Sequence, residues 1–75
     1  MKRMSDIKVG EIGSVVRIDI SGSMKRRFTD IGLIENTVVE CVGHSPHGDP
    51  KAFLIRGAVI AIRDSDSCFV MLDCT

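Results

Sequence analysis

Three groups of residues in this 75-residue sequence are of types that could do chemistry. The first is His44-x-x-His47-x-Asp49, with Cys41 three positions upstream. Imidazole, thiolate and carboxylate are the ligands that hold zinc or ferrous iron, and a loop can fold them onto one ion. The spacing matches neither a Cys-x-x-Cys pair nor two histidines one helical turn apart, the patterns that pre-position ligands on a rigid element. The competing reading is a polar, solvent-exposed loop. His44, His47 and Asp49 are therefore candidate ligands for a transition metal, and no resident cofactor is expected.

The second group is the thiols Cys41, Cys68 and Cys74. A nucleophilic cysteine needs a base within reach and a third group that orients the base. Cys41-x-x-His44 offers a thiol and an imidazole, but nothing that holds the ring. Cys41 is expected to point into the sheet, Cys68 to act as a small buried apolar side chain on the last strand, and Cys74 to be exposed near the end of the chain. The seven glycines are scattered at turns and build no phosphate-cradling loop. An odd number of cysteines is also a poor disulfide framework. No enzyme activity is expected.

The third group is Lys25-Arg26-Arg27, the basic run of the chain. It could meet an acidic surface on a partner protein; otherwise it is a solvated helix face with one structural arginine, Arg27, whose stem lies on the core and whose head bonds a nearby carbonyl. Ten basic residues balance ten acidic ones. Nucleic-acid binding rests on an excess of Lys and Arg against phosphate, so that partner is not expected. With three Phe and neither Trp nor Tyr, the chain lacks stacking platforms for single strands and an aromatic-lined groove for proline-rich peptides. The candidate partner-binding residues are Lys25, Arg26, Thr29 and Glu35, on a helix and the turn after it.

The elements that must position these residues follow from periodicity. Residues 1–75 make one domain, too short for a deep cavity. Asp6 to Gly10 is a lead-in turn, with Ile7 dipping into the core. Ser14 to Ile20 alternates, placing Val16, Ile18 and Ile20 on one face of a strand and Val15, Arg17 and Asp19 on the other. Ser23 can cap a helix of about nine residues, in which Met24, Phe28 and Ile31 recur on one face and Gly32 follows as a left-handed cap. Leu33 to Thr37 is a turn, where Asn36 suits positive φ. Four further strands are predicted at 38–42, 52–56, 59–63 and 68–72. A turn-rich loop, 43–50, follows the first of them, Gly57 makes a tight connection, and a short turn or one 3₁₀ turn occupies 64–67. Five short strands and one helix favour a small barrel, since closure removes exposed edges. The apolar run 58–62 is far too short to span a bilayer, and no signal peptide is read at the start, so a cytoplasmic protein without direct membrane insertion is expected.

Several segments resemble one family in order and spacing. Arg26-Arg27-Phe28-Thr29-Asp30-Ile31-Gly32-Leu33 resembles the Arg-Arg-Leu-x-x-Leu-Gly-Leu segment of FeoA proteins. Gly10-x-x-Gly-x-Val precedes it, Thr37-Val38-Val39-Glu40 continues it, and Gly48-Asp49-Pro50 and Gly57-x-x-x-Ala-Ile-Arg63 follow, covering Ile7 to Leu72. The chain departs from the family at Glu35-Asn36, where Pro-Gly is usual; Asn36 can supply the positive φ of Gly, while Glu35 lacks proline's fixed φ and leaves the turn looser. The resemblance implies a mainly β, SH3-like five-stranded barrel with one inserted short helix. It also implies a cytosolic accessory of ferrous iron transport that binds or regulates the cytoplasmic part of the FeoB permease. The same module resembles the C-terminal domain of iron-dependent repressors; the stand-alone form is the one expected here. The alternative function is a transition-metal-binding module that senses or delivers Fe²⁺ or Zn²⁺.

Overall fold

A computed structural model describes residues 1–74. The chain begins with a two-residue strand, β1 (Lys2–Arg3), and a 3₁₀ turn (Met4–Asp6). It continues through β2 (Ile12–Ile18), α1 (Ser23–Asp30), β3 (Val38–His44), β4 (Lys51–Ile55), β5 (Ala58–Ile62), α2 (Asp64–Ser67) and β6 (Val70–Asp73). The strands form a six-stranded antiparallel sheet in the order β1-β6-β2-β3-β4-β5.

The expectation of a mainly β domain holds, but the closed five-stranded barrel does not. β1 adds a sixth strand, and the terminal strands β1 and β5 do not pair, so the sheet stays open. Two residues of β1 could supply very few ladder bonds to a closing partner. A second helix, α2, stands where a turn or 3₁₀ turn was expected.

Strand β2 shows why simple alternation misleads. Val15 is buried and Val16 is 43% exposed, the reverse of the predicted faces. A bulge between Val15 and Arg17 in the pairing with β6 inserts one extra residue and resets the phase. Beyond it the prediction recovers, since Ile18 and Ile20 pack against the core. Gly13 precedes the bulge at a close approach of strands: a Cβ there would lie 2.7 Å from Cys74 Sγ and 3.0 Å from the Asp73 carbonyl oxygen. Cys74 is accordingly half-buried against the core rather than exposed. Cys68 is half-buried in the turn before β6, not on a strand, because β6 starts two residues later.

Helix α1 docks through Phe28, which is buried, with Met24 and Ile31 packed against the same core as Phe53, Leu72 and Ile7. Ser23 is its first residue rather than its cap and makes no side-chain cap bond; Gly22, at φ 75°, leads the chain in. The exit is a Schellman turn. Gly32, at φ 84°, donates to the Thr29 carbonyl at 3.0 Å, and Leu33 donates to the Phe28 carbonyl at 2.8 Å. The left-handed residue predicted from sequence at Gly32 is thus present, with Phe28 and Leu33 both in the core.

An exposed strap ties β1 to the start of β2. Lys2 Nζ lies 2.8 Å from Glu11 Oε2, and the Lys8 backbone N–H donates to Glu11 Oε1 at 2.8 Å. The bond from Lys2, with that from the Lys8 amide, holds the Glu11 carboxyl below its ordinary value. The bond to Glu11 raises Lys2 above its own. The Glu11 contribution is therefore complete above the ordinary glutamate range and is lost as pH falls through its lowered folded value. The Lys2 contribution is complete below the ordinary lysine range and is lost as pH rises through its raised one. Glu11→Gln is expected to flatten the acid limb of a stability-against-pH curve, read by urea denaturation in steps from neutral to acid. An unchanged limb would mean that the strap does not persist in solution.

Candidate functional site

A groove that holds three of the candidate partner-binding residues lies beside α1. Lys25 and Thr29, one turn apart on the helix, and Glu35, in the turn that follows, line a shallow groove of about 260 Å³ with Ile18 and Ile34. Ile34 is 40% exposed. Three of the four candidate partner-binding residues thus share one groove; Arg26 is exposed on α1 and is not among the residues that line it. No ion pair joins Lys25, Arg26 or Glu35 to another described residue. Ile18 was not foreseen in this role, and Ile34, though within the expected contact turn of residues 33–37, was not singled out. The unpaired position of Ile34, outside the Met24–Phe28–Ile31 stripe and before a polar turn, was the available signal.

The groove has stiff walls. The Thr29 hydroxyl donates back to the Lys25 carbonyl at 3.0 Å, which fixes its rotamer along the helix. In the turn, the Thr37 hydroxyl donates to the Gly32 carbonyl at 2.9 Å and accepts from the Ile34 N–H at 3.2 Å. Asn36, at φ 71°, donates its N–H to the Val15 carbonyl at 2.8 Å, and Val15 donates to the Thr37 carbonyl at 2.9 Å. The positive φ expected of Asn36 is present, and the turn is tied to both helix and sheet. The arginine that bonds a carbonyl here is Arg56, whose Nε donates to Gly32 at 3.2 Å. Arg27, expected in that role, makes no such bond among the described residues and instead lines a groove between α1 and β5.

The metal-like residues lie elsewhere. β3 runs on to His44, so this histidine ends a strand rather than sitting in the loop. Its Nδ1–H donates to the Ser45 carbonyl at 2.7 Å, which leaves Nε2 free. His47 is exposed in the turn. Asp49 Oδ1 accepts the Asp64 N–H at 2.9 Å and so receives a donor at the start of α2. Cys41 is buried and faces inward, as expected, with Sγ 3.7 Å from the Gly43 carbonyl oxygen. Among the described residues, no three His, Cys, Asp or Glu side chains come together as a group that could hold a metal. Nor does Lys51 offer free charge: its Nζ bonds the Ser5 carbonyl at 2.8 Å and Asp64 Oδ1 at 3.0 Å.

Among the described residues, no helix is long and apolar enough to cross a membrane. A family model described as the FeoA domain matches residues 2–74. No curated protein sequence matches the chain. Several solved structures share its fold. An FeoA protein from Chlorobium tepidum superposes with a TM-score of 0.89 at 23% identity, covering 99% of this chain and 70% of that one. Iron(II) transport protein A from Clostridium thermocellum gives 0.92 at 23% identity, covering 99% and 45%. A zinc complex of FeoA from Stenotrophomonas maltophilia, described as an SH3 domain protein, gives 0.79 at 22% identity, covering 93% and 87%.

Proposed function

The chain belongs to the FeoA family, which is linked to ferrous iron transport, and from that premise we propose that it is a non-enzymatic, cytoplasmic accessory that docks on the cytoplasmic part of a FeoB-type permease. The observation that carries this reading is the groove formed by Lys25, Thr29 and Glu35 over Ile18 and Ile34. Apolar side chains at its floor supply area to bury, and the unpaired charges at its rim supply orientation. The stiff turn keeps these groups in place before binding, so little ordering entropy is lost on association. Such a module acts by presenting a preformed surface and performs no bond-making step.

The experiment is an affinity measurement between the chain and the isolated cytoplasmic domain of a FeoB-type permease from the same source. Lys25→Glu and Arg26→Glu are each expected to weaken binding about tenfold or more, within the range of a lost charge pair at an interface. Retained affinity in both variants would remove this surface from the account, and no affinity in the native protein would remove the partner. The transition-metal reading draws on the zinc complex of the Stenotrophomonas relative. On this chain it would rely on His44, His47 and Asp49, and calorimetry with Fe²⁺ and Zn²⁺ under reducing conditions, against His44→Ala/His47→Ala, separates it from the docking reading.

A further inference from the structure

Strand β5 ends the sheet, and its outer side faces no other strand. The β4–β5 hairpin turns through two residues of positive φ, Arg56 at 49° and Gly57 at 83°, and pairs Ile55 with Ala58. A two-residue turn of this kind is closed by a hydrogen-bonded pair, and such pairs recur every second residue along an antiparallel ladder. Ala58, Ile60 and Ile62 therefore bond to β4, and the N–H and C=O groups of Val59 and Ala61 point away from the sheet. No other backbone or side-chain group among the described residues bonds to them. Both residues are exposed, Val59 at 65%.

Natural sheets blunt such edges with lysine, proline, inward charges or a covering segment. The sequence of β5, Ala-Val-Ile-Ala-Ile, has none of these devices. A groove of about 180 Å³ separates β5 from α1, with Phe28, Ile31 and Ile60 giving it an apolar lining. Its rim carries Arg27 from α1 and Arg63 at the end of β5, with Asp66 as the acidic group. Neither arginine is in an ion pair with a described residue. Arg56 stands at the opposite end of β5, in the hairpin turn. Two guanidinium groups without an ion pair, Arg27 and Arg63, thus flank four unpaired backbone groups and an apolar slot, and the charge of Arg56, whose Nε bonds the Gly32 carbonyl, stands at the hairpin end.

We propose that the free edge of β5 is a docking site for an extended, acidic polypeptide segment, which joins the sheet as a further strand. Backbone bonds to Val59 and Ala61 would supply the pairing, alternate apolar side chains would enter the slot beside α1, and carboxylates would meet Arg27, Arg56 and Arg63. A second copy of the chain fits less well. Antiparallel pairing of two β5 strands about Ile60 sets Arg63 of each against the partner's hairpin turn, next to its Arg56, and like charges so placed repel. This site is on the opposite flank of α1 from the Lys25 groove, and it does not depend on the permease reading.

The test uses the ¹⁵N-labelled full chain and two synthetic eight-residue probes, one alternating Val and Glu, the other alternating Val and Lys. The Val–Glu probe is expected to bind at least tenfold more tightly, to shift the Val59 and Ala61 amide signals, and to slow their hydrogen exchange at least tenfold. Ala61→Pro removes an outward N–H without removing a bond to β4, a substitution that edge strands accept. It is expected to abolish these effects and to leave the melting temperature within a few degrees of the native value. Should that variant unfold, Arg27→Glu/Arg63→Glu is expected to invert the preference between the probes. Equal binding of both probes, no change at the two amides, or concentration-dependent protection of β5 without any probe would each overturn the proposal, the last in favour of self-pairing.

Discussion

Phe53→Ala is expected to remove about 3–5 kcal/mol, a large share of the domain's stability at room temperature. Phe53 lies in the middle of β4, fully buried, opposite Cys41 of β3 and Ile60 of β5. Truncating a buried phenylalanine costs about 3–5 kcal/mol, from lost transfer energy and the cavity left behind. A domain of this length has a total stability of roughly 4–11 kcal/mol at about 0.05–0.15 kcal/mol per residue, so the loss takes a large share of it. The neighbours can do little to fill the hole, because Phe53 bridges two ladders whose registers are fixed by backbone bonds. Urea denaturation followed by circular dichroism checks this. A midpoint within experimental error of the native protein would mean that β4 does not carry the core.

Phe28→Ala is expected to cost about 3–5 kcal/mol as well, with a functional consequence that Phe53→Ala does not isolate. Phe28 is the buried residue of α1, an eight-residue helix too short to persist in water alone. Its carbonyl also receives the Leu33 N–H that closes the helix. Removing the ring releases the helix that carries Lys25 and Thr29, so partner affinity is expected to fall together with stability. Phe28→Leu, which installs the residue that the family resemblance places there, keeps most of the volume and is expected to cost less than about 1.5 kcal/mol. Native affinity in Phe28→Leu beside lost affinity in Phe28→Ala would tie docking to the seating of α1. Native stability in Phe28→Ala would mean that the ring is not part of the core.

Much of this arrangement is legible in residue types. Met24, Phe28 and Ile31 announce a helix face, Gly32 its end, and Asn36 a left-handed turn, because each reports a local backbone demand that few residues meet. What escapes is set by partners distant in the chain. The exposure of Val16 follows from a bulge defined by β6, more than fifty residues away in sequence. β1 has two residues, too few to show a period, yet it delivers Met4 to the core. The helix α2 has no apolar stripe of its own; the Asp64 N–H at its start is held by Asp49 and its side chain by Lys51. The open sheet, too, depends on which strands meet.

The same division applies to function. Lys25, Thr29 and Glu35 can be singled out as polar residues that core packing does not explain, but their convergence on one groove needs the return path of the turn. Ile18 reaches that groove from a strand, and no local pattern links it to Glu35. The metal-like spacing of His44, His47 and Asp49 has the opposite outcome: residues close in sequence are drawn apart in role, one to a strand end, one to solvent and one to a helix start.

The central claim is that a preformed outer surface beside α1 meets the permease. Titrating the ¹⁵N-labelled chain with the permease's cytoplasmic domain and mapping amide signals tests it most directly. Perturbations concentrated on Lys25, Thr29, Ile34 and Glu35 are the expected result. A map centred on His44 to Asp49 with the α1 flank unmoved, or signals that never respond to the domain, would contradict it.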